Sequence, residues 1–270
     1  MNETPPPVLS NYPRSPEEGP GPGRLPGVYF DTIKLAWNMV ESNLLVYCGA
    51  TFAVMLAEFV LYAAALIPQI SASIASPLAQ PPKPTPWLIA FGILLSYLSS
   101  FTTLGLIAIG VKQLQGFRIG FLDLFLPFRR PGTSALAALL VASPQVIFQL
   151  ATMGVRENPP SEIGPTFVLL GIVSLFSIVL TALTLAPLLM AGTHSVVTGA
   201  SPFEALRQTV LKLKGNWFAL GVLGCIAFLL GTLGVMACLI GIVLTYPVFT
   251  NMIALHYTYY FPQPAGDEAG

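Results

Sequence analysis

From Trp217 to Phe261 the chain is one continuous apolar segment punctuated by glycine. A single membrane helix needs about 20 residues, and this segment has more than twice that. It therefore predicts a transmembrane hairpin, with spans of about 217–235 and 240–260 and a turn somewhere in Gly234 to Gly241. Gly224, Ala227, Gly231 and Gly234 fall on one face of the first arm, where small residues let another helix come close. Pro247 predicts a bend in the second arm. Composition agrees: 54% of the chain is hydrophobic and 9% charged, against about 25% charged in soluble domains. The mean hydropathy is +0.73.

The hairpin is preceded by a capped amphipathic helix. Ser201 suits the N-cap, Pro202 the first helical position and Glu204 the third, which together predict a capping box. Phe203, Leu206, Val210 and Leu213 follow at spacings of three and four. Gly215-Asn216 breaks the pattern and Trp217 opens the apolar run. Such a helix is expected to lie in the headgroup region with its apolar face down.

Earlier parts of the chain repeat the theme. Residues 1–27 carry eight prolines in Met1 to Pro26 and are expected to form a disordered cytoplasmic tail, without the charge and apolar pattern of a signal peptide. Phe30, Ile33, Trp37 and Val40 then mark an amphipathic helix. Further spans are expected at about 44–67, ended by Pro68, and at 87–111, 134–155 and 165–190, the last kinked by Pro187. The fold class is thus all-α: a polytopic membrane protein with six transmembrane helices in one domain, 28–261, and cytoplasmic interfacial helices. A short disordered tail, 262–270, follows.

Charge gives the orientation. Arg24, Lys34, Lys112, Arg118, Arg129, Arg130, Arg207, Lys212 and Lys214 fall on one side of the six spans, and only Lys83 and Arg156 on the other. Positive residues collect in the cytoplasm, so both termini are expected there. The three tryptophans, Trp37, Trp87 and Trp217, fall at predicted interfaces.

An internal repeat emerges when Phe30 is set on Phe203. Asp31 then meets Glu204, Ile33 meets Leu206, Lys34 meets Arg207, Trp37 meets Val210, Val40 meets Leu213 and Asn43 meets Asn216. Phe121, Asp123, Leu124 and Phe128 form a shortened version before the third span. Three parallel units are expected, each an interfacial element followed by a transmembrane hairpin.

Two stretches carry a family likeness. F-E-A-L-R-Q-x-x-x-x-x-K-G-N-W (Phe203–Trp217) stands before a Gly-rich hairpin containing L-T-Y-P-V (Leu244–Val248), and D-L-F-x-x-F-R-R (Asp123–Arg130) before the third span. The pattern resembles a group of uncharacterised six-helix bacterial integral membrane proteins. These look related to the membrane domain attached to some glycerophosphodiester phosphodiesterases. The resemblance covers about Tyr29 to Phe261 and implies six helices in a bacterial inner membrane. It implies no substrate, and the phosphodiesterase activity is not expected to carry over to these residues.

Chemistry-bearing motifs are absent from the sequence: no HExxH, GxSxG, P-loop or strand-borne GxGxxG. Cys48, Cys225 and Cys238 lie far apart and read as packing residues. His194 and His256 lack neighbours at ligand spacing, so no metal or other cofactor is expected. The polar groups inside spans are the candidates: Glu58, Gln145, Gln149 and Asn251. Glu58 lies about 21 Å along its helix from Leu44, with Gln149 its expected partner, and with Thr102 and Thr103 too near the cytoplasmic side. Helix-to-helix hydrogen bonding is the simpler role for these groups. The leading expectation is a non-enzymatic scaffold or partner-binding subunit, in contact with the lipid bilayer and with a membrane protein partner or a second copy. The alternative is a small-solute transporter or channel with Glu58 on the path. A lipid-active enzyme using His194 and His256 comes third. The balanced net charge suggests no nucleic-acid partner.

Overall fold

The computed structural model describes residues 28–75, 86–157, 165–236 and 238–262. The tails, residues 76–85 and 158–164, and Ala237 lie outside the described residues, as do the expectations made for them. The described chain is helical, with no strand among the described residues. Its elements are α1 (Val28–Ser42), α2 (Leu44–Ala75), α3 (Pro86–Leu114), a 3₁₀ segment (Phe121–Arg129), α4 (Pro131–Glu157), α5 (Pro165–Thr198), α6 (Pro202–Lys212), α7 (Trp217–Met236) and α8 (Cys238–Tyr260). Three helices are long and apolar enough to cross a membrane, over Leu44–Ala64, Ala90–Leu114 and Val179–Thr198. Pro131–Ile147 and Trp217–Ile226 are shorter apolar helical stretches.

The elements form three units in sequence: α1–α2–α3, 3₁₀–α4–α5 and α6–α7–α8. In each, the two long helices pack side by side as a hairpin, and the second helices, α3, α5 and α8, also touch one another at the centre. The leading element of each unit lies on the second helix of the unit before it. The 3₁₀ segment packs on α3 and α6 on α5, while α1 packs on α8 and so closes the ring. These three elements make a collar around one end of the bundle. Lys112 of α3 donates to both Asp123 carboxylate oxygens of the 3₁₀ segment at 2.8 Å. Lys212 of α6 donates to the Tyr260 carbonyl at 3.1 Å.

The matching of Phe30 with Phe203 holds in three dimensions. Thr32 and Ala205 are both buried, as are Ala36 and Thr209, and Val40 and Leu213. Trp37 and Val210 are 42% and 40% exposed. The break into the span is the same too. The Asn43 and Asn216 amides donate to Val40 and Leu213, and their carbonyls accept from Tyr47 and Leu220. Each leading helix thus splits its apolar surface. One stripe faces the preceding helix, while Trp37 on α1, or Phe203 and Val210 on α6, remain uncovered. The sequence reading put the whole apolar face toward lipid, because periodicity does not separate a lipid contact from a protein contact.

Local chemistry explains the close joints. The 3₁₀ segment sits so near α3 that a Cβ on Gly105 would collide with the Leu124 carbonyl oxygen. Gly192 of α5 is in similar contact with Leu104 and Val141. Gly199, at φ +78°, turns the chain from α5 into α6. Ser201 caps α6 by accepting from the Glu204 amide at 3.3 Å. The Glu204 carboxylate turns instead to Gln208, accepting at 3.0 Å, so the cap uses the serine half of the expected box. Pro68 does not end its helix: α2 continues to Ala75. A proline removes one amide donor and crowds the carbonyl four residues back, which a long membrane helix can absorb as a local adjustment.

Candidate functional site

α2 is the loosest of the outer helices. It packs less against its neighbours α3 and α8 than α7 does against α5 and α8. The space left beside it is an open cavity of about 650 Å³. α2 lines it with Met55, Glu58, Phe59 and Tyr62, and α3 with Leu95, Ser96, Ser99, Ser100 and Thr103. α4 brings Val141, Ala142, Pro144 and Gln145; α5 brings Thr181, Leu185 and Leu189; α8 brings Tyr246 and Phe249. Toward the collar it ends on a packed layer around Leu104, Leu189 and Phe249, all buried. Thr103 stands about 14 Å along α3 from Lys112, so this floor lies near the middle of a span.

The polar wall is built by α3. Ser96, Ser99, Ser100 and Thr103 recur at i, i+3, i+4 and i+7, which puts four hydroxyls on one helical face. Ser96 donates to the Gly92 carbonyl at 2.9 Å, Ser100 to the Ser96 carbonyl at 2.9 Å and Thr103 to the Ser99 carbonyl at 2.6 Å. A hydroxyl has one proton, so Thr103 receives the hydrogen bond that Tyr246 makes to it. Ser99 interacts with both Glu58 and Tyr246. The cluster is therefore one carboxyl group and a row of hydroxyls whose protons are already committed to neighbours. Glu58 Oε1 is buried and has no hydrogen-bond partner among the described residues.

The four candidate polar groups do not form one cluster. Glu58 and Gln145 line the same cavity. The Gln149 side chain lies outside the described residues. Asn251 belongs to a separate buried network on the collar side of the floor. There the Tyr47 hydroxyl is 2.6 Å from Gln113 Oε1 and 3.0 Å from Asn251 Oδ1. One phenolic proton cannot serve two acceptors, so Gln113 takes the shorter bond. The Asn251 amide completes the network when its NH₂ faces the phenolic oxygen, which also gives the otherwise unpartnered Nδ2 an acceptor. Gln113 passes the chain on to the Met39 carbonyl and the Ser42 hydroxyl. Asn251 is thus level with the first turn of α2, well removed from the Glu58 level. Thr103, set aside from sequence as too near the cytoplasmic side, sits in the Glu58 cluster through Tyr246. The serine stripe was the missed signal, readable from its spacing alone.

The two histidines have separate hydrogen-bond partners. His194 Nε2 is 2.9 Å from Gln208 Oε1, whose amide donates to Glu204, and Nδ1 is 3.2 Å from the Tyr257 hydroxyl. A ring with its proton on Nε2 satisfies both contacts. His256 is fully buried and its Nδ1 bonds the Met252 carbonyl at 2.7 Å. Among the described residues no group of three His, Cys, Asp or Glu could hold a metal ion.

No protein-family model, curated protein or solved structure matches the chain.

Proposed function

We propose that the chain is a six-span membrane protein that carries a small solute by way of the Glu58 cavity. Both termini lie on the collar side, which is the cytoplasmic face of a bacterial inner membrane. The cavity carries this reading: a carboxyl group is reached by an open, hydroxyl-walled space among five helices. A packing or scaffolding subunit has no use for such a void, because filling it with side chains would stabilise the bundle. An isolated acid in a membrane span is costly and marks a pathway more readily than a joint. The path is closed toward the collar by the layer around Leu104, so release to the cytoplasm requires that layer to part.

The test uses cysteine labelling in intact cells. Ser100→Cys and Thr181→Cys should react with a membrane-impermeant thiol reagent added outside, and Leu104→Cys should not. If Ser100 and Thr181 variants stay unreactive from both faces, the carrier reading fails and the scaffold reading returns. Reporter fusions after Pro82 and Asn158 should behave as exported, and one after Gly270 as cytoplasmic. An exported C-terminus would contradict six spans.

A further inference from the structure

We propose that the Glu58 cavity takes an amphipathic organic monocation in exchange for the carboxyl proton. The inference rests on the carrier reading and adds the chemical class of the solute. Its first ground is the sign of the lining. Among the described residues that line the cavity there is no Lys, Arg or His. The hydroxyls of Ser100, Thr103 and Tyr246 have their protons engaged, so they present oxygen lone pairs. A carboxylate beside these hydroxyl oxygens repels an anion and offers a cation acceptors.

The second ground is Glu58 Oε1, buried without a partner among the described residues. A buried carboxylate with only a serine hydroxyl on it and one oxygen left over is too costly to persist, so the group is either protonated or paired with a cation that enters. The two states exchange with charge conserved: one monocation enters, the Glu58 O–H bond breaks, and one proton leaves to water. The titratable groups facing Glu58 are phenols, Tyr246 from α8 and Tyr62 on its own helix. α3, α4 and α5 bring only hydroxyl, amide and apolar side chains to the described lining. Glu58 is therefore the one group there whose charge can answer an incoming cation.

The third ground is the rest of the wall. Met55, Phe59, Leu95, Leu185 and Phe249 are apolar, and a hydrated metal ion gains nothing from them. An organic cation buries its body there and sets its head against the carboxylate, with the aromatic faces nearby adding to the attraction. The volume lies in the range of about 300–1,000 Å³ that holds drug-sized ligands.

The test measures binding to the full-length protein in lipid nanodiscs. The probes are tetraphenylphosphonium and tetraphenylborate, which share a shape and differ in the sign of their charge. Tetraphenylphosphonium keeps its charge at every pH, so any pH dependence belongs to the protein. It should bind saturably, and its affinity should rise by up to about tenfold per pH unit while the empty site holds its proton. Tetraphenylborate should not bind saturably. Glu58→Gln should weaken tetraphenylphosphonium about tenfold or more at pH 8 and remove the pH slope. Glu58→Asp should keep the slope, which separates lost charge from a damaged fold. Equal binding of both probes, or a Glu58→Gln variant with wild-type affinity and slope, overturns the cation assignment and leaves the carrier reading standing. No saturable binding of either probe, with Ser100→Cys and Thr181→Cys also unreactive, overturns both.

Discussion

The first and last units share a plan and have diverged at one face. In the register that sets Phe30 on Phe203, Thr51 of α2 corresponds to Gly224 of α7, Val54 to Ala227, Glu58 to Gly231 and Leu61 to Gly234. Where α7 carries its run of small residues, α2 carries larger ones and an acid. The packing differs as well. α7 lies tightly against α5 and α8, with Gly221 so close to Leu183 that a Cβ there would come within 2.6 Å of it, while α2 stands off and leaves the cavity. Small residues on a membrane helix act by removing atoms, which lets two backbones approach. One repeated plan thus gives a tight joint in the last unit and one wall of an open cavity in the first.

The largest effect should come from breaking what the two units still share. Ala36→Glu and Thr209→Glu each put a carboxylate at a fully buried position between a leading helix and the helix beneath it. Each should cost several kcal/mol, roughly 3 or more, or prevent folding. Yield and unfolding in detergent would check this, and a tolerated Thr209→Glu beside a lethal Ala36→Glu would break the equivalence. Next comes a pair that should behave unequally. A Cβ on Gly221 would meet Leu183 at 2.6 Å, whereas its counterpart Cys48 is only half-buried. Gly221→Leu should cost about 2–3 kcal/mol and Cys48→Leu under about 1. Equal costs by denaturant titration would mean that α2 packs as tightly as α7.

A smaller effect is expected at Tyr47, whose counterpart is Leu220. Tyr47→Phe removes the hydroxyl that joins Gln113 to Asn251, and should lower stability by about 0.6–1.7 kcal/mol. A silent Tyr47→Phe would show that the network does not hold α2 in place. The smallest effect has the opposite sign. Glu58→Leu removes an acid with an unpartnered oxygen, so stability should rise by up to about 1 kcal/mol. A marked loss would show that Glu58 is a structural joint.

Much of this was legible in the residues. The collar elements announced themselves through caps, flanking charges and the Phe30-to-Phe203 match, because an interfacial helix must carry both a polar and an apolar face. The hairpin turn between α7 and α8 was confined by length alone. The Glu58 neighbourhood was harder. Along α3 nearly every position is apolar or small, so periodicity does not say which face meets lipid and which meets protein. Depth counting named Gln149, whose side chain lies outside the described residues, and passed over the serine face of α3 at the same level. Ser99 lies about 22 Å from Leu114 along its helix, close to the depth of Glu58 in its own. Asn251 misled for a related reason. The collar covers the last turns of α8, so a residue halfway along that helix sits closer to the bundle's end than its count suggests.

The seat of α1 on α8 has a consequence for synthesis. α1 leaves the ribosome long before the α8 on which it docks, so the ring cannot shut until α8 has emerged. At about 5–20 residues per second, that delay is on the order of ten to forty seconds. Throughout it α1 lacks its contact with α8, and the loosely held α2 behind it has α3, the 3₁₀ segment and a slight contact with α1. The seam is also the contact of longest sequence separation, and such contacts form late. Assembly therefore ends where the cavity helix is hung: the last joint made is the one that holds α2 in place.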